Sequence, residues 1–157
     1  VAACIRDPGL RIGGINHFLL PGDGSESAGD AAGEDLRFGD AAMEKLINSL
    51  MRQGADKKRL EAKVFGGANM LPGFTQANVG ARNAAFVLEF LRHEGIPILA
   101  QDLGGDQPRR VNYEPYTGRA WVHHLDAPRA AASVAEEEMR YRGQLRAKPP
   151  AGDLEIF

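Results

Sequence analysis

Cys4 and His17 are the smallest set in this chain that could carry out thiol catalysis, because a thiolate attacks carbonyl carbon and an imidazole moves protons near neutral pH. The local sequence argues against Cys4 as the nucleophile. It lies in the apolar run Val1-Ala2-Ala3-Cys4-Ile5, which reads as the middle of a buried strand, where cysteine behaves as a small hydrophobe and burial raises its pKa. His17, between Ile15 and Leu19, reads on its own as a histidine at the edge of a core, satisfied by one hydrogen bond. His123 and His124 are adjacent on a strand and so fall on opposite faces, which keeps them from serving one metal ion; His93, in a last helical turn, complements the helix dipole. No metal is expected, and one thiol excludes an internal disulfide. Phe65-Gly66-Gly67-Ala68-Asn69-Met70 has the glycines of a phosphate loop without its lysine and serine, so it suits a tight turn or the close approach of a substrate backbone; no cofactor is expected.

The elements that must hold these residues follow from periodicity. Val1 to Ile5 is a strand, ended by the turn Arg6-Asp7-Pro8-Gly9; Gly14 to Leu20 is its hairpin partner, with Ile15, His17 and Leu19 on one face and Asn16, Phe18 and Leu20 on the other. Gly22 to Gly39 reads as a long surface loop. Asp40 then caps a helix with the stripe Met43, Leu46, Ile47, Leu50 and Met51, closing at Gly54. Strands follow at Leu60 to Phe65, Ile96 to Gln101, Arg110 to Glu114 and Arg119 to His123, and a helix at Val79 to His93 carries Ala84, Val87, Leu88 and Leu91 inward. The expectation is an α+β fold: a layered sandwich of mostly antiparallel strands with two main amphipathic helices.

With 157 residues, 43% of them hydrophobic, the chain can bury one core, and residues 1–124 are read as one domain. Residues 125–157 are read as a peripheral tail with a short helix capped by Ser133 and Glu136 and ended at Pro149-Pro150. A net charge of -2 gives no general attraction for nucleic acid, and no apolar run spans a bilayer; a cytoplasmic protein without membrane insertion is expected. Because Val1 is not methionine and the opening run reads as mid-strand, a preceding segment is expected too.

Several segments, in order, resemble the chemoreceptor glutamine deamidase family, CheD. They are Ala3-Cys4-Ile5-Arg6-Asp7-Pro8, Gly13-Gly14-Ile15-Asn16-His17-Phe18-Leu19-Leu20-Pro21, Glu61 to Met70, Val79-Gly80-Ala81-Arg82-Asn83 and Gln101-Asp102-Leu103-Gly104-Gly105. In that family the nucleophilic cysteine follows Gly-Ser and precedes a second cysteine, which Cys4 matches. The resemblance therefore implies that His17 is the catalytic histidine and that the nucleophile is expected immediately before Val1, with the threonine that helps orient the histidine further upstream. It implies deamidation of receptor glutamine to glutamate through a thioester, with methyl-ester hydrolysis as a related activity. Implied partners are the cytoplasmic domains of methyl-accepting chemoreceptors and a phosphatase of the chemotaxis response regulator. Gly22 to Gly39 and Gly66-Gly67 are expected to rim the groove that receives the receptor helix.

Two other functions compete. A chain without a nucleophile would act as a binding module on chemoreceptors or on the phosphatase, and an unrelated thiol enzyme would use Cys4 with His17. The residue before Val1 separates the first from catalysis, and the alkylation rate of Cys4 tests the second.

Overall fold

The computed structural model describes residues 1–19, 31–68, 79–125 and 153–156, with residues 31–37 and 153–156 as backbone. Its elements are β1 (Ala2–Asp7), β2 (Ile12–His17), α1 (Ala31–Arg52), a short 3-10 turn (Lys57–Arg59), β3 (Glu61–Gly66), α2 (Val79–His93), β4 (Ile98–Leu103), β5 (Arg109–Glu114), β6 (Arg119–His124) and β7 (Asp153–Ile156). A five-stranded sheet runs β4-β3-β1-β2-β7, and β5 pairs with β6 in a separate hairpin. Only the β3–β4 pair is parallel among the described strands.

Strand alternation divides the sheet into two working faces. Val1, Ala3, Ile5, Phe18, Ala62 and Val64 pack with Met43, Leu46, Ile47 and Leu50 of α1 and with Phe86, Val87 and Leu91 of α2 in one buried cluster. The opposite face carries Ala2, Cys4, Arg6, Lys63 and Phe65 and is covered by the hairpin: the Lys63 ammonium donates to the Gly118 carbonyl at 2.7 Å. Helices, sheet and hairpin thus form three layers, the α+β arrangement the periodicity predicts.

Both helices stop where glycine takes a left-handed turn. Gly54 (φ 95°) and Gly95 (φ 69°) let the next amide fold back, Ala55 N–H to the Leu50 carbonyl at 3.1 Å and Ile96 N–H to the Leu91 carbonyl at 2.9 Å. The start of α1 differs from expectation. Residues 31–39 are helix, so only 22–30 of the predicted loop lie outside the described residues, and Asp40 is a half-buried interior residue rather than a cap. Ala31, Ala32, Glu34 and Leu36 are good helix formers, and propagation from the packed half of α1 outweighs the cost of about 1 kcal/mol for each of Gly33 and Gly39.

Further corrections are smaller. Met51, predicted inward, is 43% exposed, and α2 buries Asn83 and Phe86 while Ala84 and Leu88 are only half-buried. Strand β4 begins two residues later than expected and β2 ends at His17. The predicted short helix at Ser133 lies outside the described residues. Beyond it, Asp153–Ile156 joins the main sheet beside β2, a strand that the peripheral-tail expectation did not anticipate.

Candidate active site

His17 is the last residue of β2, and its side chain is exposed on the face opposite the helices. Its neighbours Asn16 and Phe18 turn the other way: Asn16 is buried and donates from Nδ2 to the Ala42 carbonyl at 2.7 Å, and Phe18 meets Phe86 edge to face at 5.5 Å. The alternation in Ile15-Asn16-His17-Phe18 therefore fixes which way the imidazole faces. A slip of one residue would bury it and expose Phe18.

Across the sheet, the register sets His17 beside Ala2 of β1, Ala2 beside Phe65 of β3 and Phe65 beside Asp102 of β4; on the other side His17 stands opposite Asp153 of β7. The β1–β2 ladder continues past its strand ends. Val1 N–H donates to the Phe18 carbonyl at 3.0 Å, and Phe18 N–H returns to the Val1 carbonyl at 3.1 Å.

The corner around Val1 is built from backbone. A Cβ on Gly66 (φ 108°) would stand 3.4 Å from Val1 Cα, and one on Gly67 (φ 69°) would meet the Gly80 carbonyl at 2.7 Å. Gly66 also accepts from Gly104 N–H at 2.8 Å, which ties the end of β3 to the turn after β4. The Gly66-Gly67 pair therefore does what a close approach requires: it lets the first turn of α2 come down onto the strand end beside Val1.

Cys4 is placed where the sequence predicts and is unsuited to attack. Fully buried between Ile15 and Lys63 on the neighbouring strands, its thiol is pushed up to about 12 by burial, with Lys63 opposing the shift. His93 is exposed in the last turn of α2, its Nε2 3.8 Å from Glu89. His123 sits across from Arg110 on the outer side of the hairpin.

His124 has a partner that the sequence reading missed. Its Nε2 lies 2.9 Å from Asp102 Oδ2, while Arg109 Nη2 donates to Asp102 Oδ1 at 2.9 Å, and Arg109 and His124 face each other across β5 and β6. The Arg109 guanidinium is the main cause that holds the Asp102 carboxyl below its ordinary range. This cluster clamps the hairpin to β4 in the same sheet row as His17; the sequence shows His124 and the segment Gln101 to Gly105 separately, with nothing to join them. Among the described residues no three of His, Cys, Asp and Glu gather to hold a metal ion, and no helix is long and apolar enough to cross a membrane.

With this geometry in hand, the chain can be set beside known proteins. A family model described as CheD chemotactic sensory transduction matches residues 19–124, starting two residues after His17. A relative from Xanthomonas campestris pv. campestris (strain B100) is 52% identical over all of this chain and 76% of its own length. One from Stenotrophomonas maltophilia (strain K279a) is 51% identical with the same coverage, and one from Agrobacterium fabrum (strain C58) is 47% identical over all of this chain and 82% of its own. Each of the three is named a probable chemoreceptor glutamine deamidase CheD.

Proposed function

This chain belongs to the CheD family, and from that premise we propose that it deamidates glutamine side chains of chemoreceptors, with His17 as the general acid-base and the residue joined to Val1 as the nucleophilic cysteine. The observation that carries this reading is the register. The reciprocal Val1–Phe18 pair means that a residue preceding Val1 in β1 falls across from Leu19, on the face shared by Ala2 and His17. It is then a diagonal neighbour of His17, about 7 Å away between Cα atoms, within reach of a thiol and an imidazole. Gly67 would be its neighbour on β3, so that strand presents no side chain beside the sulfur.

The chemistry follows from what each group can do. His17 accepts the thiol proton, and the thiolate adds to the amide carbon of glutamine to give a tetrahedral oxyanion. Amide nitrogen leaves poorly as an anion, so the imidazolium returns the proton as the C–N bond breaks and ammonia departs. Water, deprotonated by the same imidazole, then cleaves the thioester to glutamate and regenerates the thiol. A substrate on the cytoplasmic domain of a chemoreceptor supports a cytoplasmic location. A response-regulator phosphatase as second partner is supported by the family resemblance alone.

The test uses the full-length protein, in which the residue before Val1 is first identified, with receptor glutamine conversion read by mass spectrometry. His17→Ala is expected to lower turnover by about a hundredfold to ten-thousandfold while unfolding at the wild-type urea midpoint. Turnover retained in that variant removes His17 from the mechanism. A residue other than cysteine before Val1 turns the reading to docking without catalysis.

A further inference from the structure

We propose that Arg11, stacked on Tyr116 and flanked by Leu10, is a second docking point for the receptor substrate, where it takes a glutamate carboxylate about 20 Å from the glutamine at His17. This rests on the deamidase reading and deepens it. A glutamine side chain is small, so affinity for one receptor site must come from contacts remote from the reacting amide. Of the five large apolar side chains exposed among the described residues, Leu10, Met51 and Tyr116 gather around the β1–β2 turn. A Cβ on Gly54, whose amide donates to the Met51 carbonyl, would stand 3.7 Å from Leu10 Cδ1. The hairpin turn brings Tyr116 alongside: the Arg11 guanidinium lies 4.9 Å from its ring centre, and Arg11 Nη1 donates to its hydroxyl.

Among the described residues Arg11 alone, apart from glycines, has a positive φ, 57°, a conformation that glycine adopts without steric cost. The strained turn and the tyrosine ring hold a planar guanidinium at the surface with most of its N–H donors unspent, a fork that fits a carboxylate through two parallel bonds. Charge agrees with that occupant. Around the turn Arg11, Arg52, Lys57, Lys58 and Arg59 outnumber Asp7, Asp56, Glu94 and Glu114, and the carboxylates are engaged: Asp7 and Asp56 by Arg59, Glu94 by Lys57, Glu114 by the Thr117 hydroxyl. Arg11, Arg52 and Lys58 have no salt bridge among the described residues, short of the cluster of about four to eight cations that draws a protein to anionic lipid. Because Arg11 reaches the hairpin turn, it lies on the hairpin side of the sheet, as His17 does. Six steps along β2 at about 3.4 Å separate the two. A helix covers that span in about 14 residues, close to four whole turns, so both contacts fall on one face of a single receptor helix.

The test uses the full-length protein and the purified cytoplasmic domain of a receptor. Arg11→Glu is expected to raise KM for glutamine conversion about tenfold while kcat changes less than about twofold, and to weaken binding of the receptor domain by the same factor. Arg11→Gly should weaken binding severalfold yet unfold at an unchanged or higher urea midpoint, since glycine relieves the positive φ. Replacing a receptor glutamate about 14 residues from the target by arginine should restore affinity to Arg11→Glu and to no other variant. Unchanged KM and affinity in Arg11→Glu overturn the proposal. So does a loss in Arg11→Gly that tracks a lowered urea midpoint, because the Arg11–Tyr116 pair would then only latch two turns together. Intact receptor affinity with lost binding to vesicles of phosphatidylglycerol and phosphatidylcholine would assign the patch to lipid instead. Binding measured in the His17→Ala background requires no turnover, so a catalytically silent protein would sink the deamidase reading alone, and an active one with unchanged affinity in Arg11→Glu would sink only this docking point.

Discussion

At its C-terminal end β1 runs into Asp7, a carboxylate with no solvent exposure, bonded by the amides of Gly9, Leu10 and Asp56 and by the Arg59 guanidinium at 2.7 Å. At its N-terminal end the same strand runs beside His17, an exposed imidazole in a corner lined by Ala2, Gly66 and Gly67. Both ends carry a polar side chain at the limit of the sheet. Every bond to Asp7 comes from the chain itself, which ties the β1–β2 turn to the segment after α1 and leaves nothing for a ligand. The corner at the other end is built from small residues and turned backbone, with the first turn of α2 packed close against Gly67. The contrast separates a polar group used for folding from one placed for chemistry.

The sharpest way to break this comparison is to damage the closed end. Asp7→Asn is expected to cost about 3 kcal/mol in urea unfolding, since a buried ionic acceptor of several bonds is lost, yet to leave kcat of the folded full-length enzyme unchanged. The Arg59 hydrogen bond is the main cause that holds the Asp7 carboxyl far below the usual carboxylate range. A depressed folded pKa means that the contribution is complete above the unfolded value of about 3.9 and is lost as pH falls toward the folded one. The stability gap between wild type and Asp7→Asn should therefore narrow steadily below about pH 4. A gap that stays constant down to pH 2 would show that the charge is not what stabilises this end.

A smaller effect should appear at the open end, and of the opposite kind. A Cβ on Gly80 would overlap the Gly67 carbonyl, so Gly80→Ala must push the start of α2 away from the end of β3. The expected cost is about 2 kcal/mol of stability, but with turnover of the folded enzyme reduced at least tenfold, because the displaced backbone borders the position next to Val1. Full turnover in the folded variant would mean that the glycine corner serves packing alone.

How far the sequence discloses this arrangement depends on the range of the interaction. Asn16, His17 and Phe18 sort themselves between the faces by period-two alternation, a local property, and the structure follows it. Cys4 was legible for the same reason. The first turns of α1 were not, because residues 31–39 have little apolar periodicity and their helix is propagated from a packed neighbour. Asp102 with His124 joins residues on β4 and β6, and Asp153–Ile156 depends on a free edge of β2 more than a hundred residues earlier. Four alternating residues after a Pro-Pro-Ala-Gly run carry too little local pattern to reveal a strand whose partner is so distant.

The smallest expected effect bears most directly on the identity of the nucleophile. Cys4 and the residue before Val1 are both two positions from Ala2, so each is a diagonal neighbour of His17, and register alone does not choose between them. Burial does: with its thiol near 12, Cys4 at pH 8 holds only about one part in ten thousand as thiolate, whereas an ordinary cysteine holds a substantial fraction. Iodoacetamide should label Cys4 slowly in the folded chain and quickly in urea, and Cys4→Ala should cost only about 1 kcal/mol while leaving full-length turnover intact. Rapid labelling of folded Cys4 would invert the comparison, since the hairpin that covers this thiol would then have to open, and the sulfur that His17 serves would lie inside the sheet.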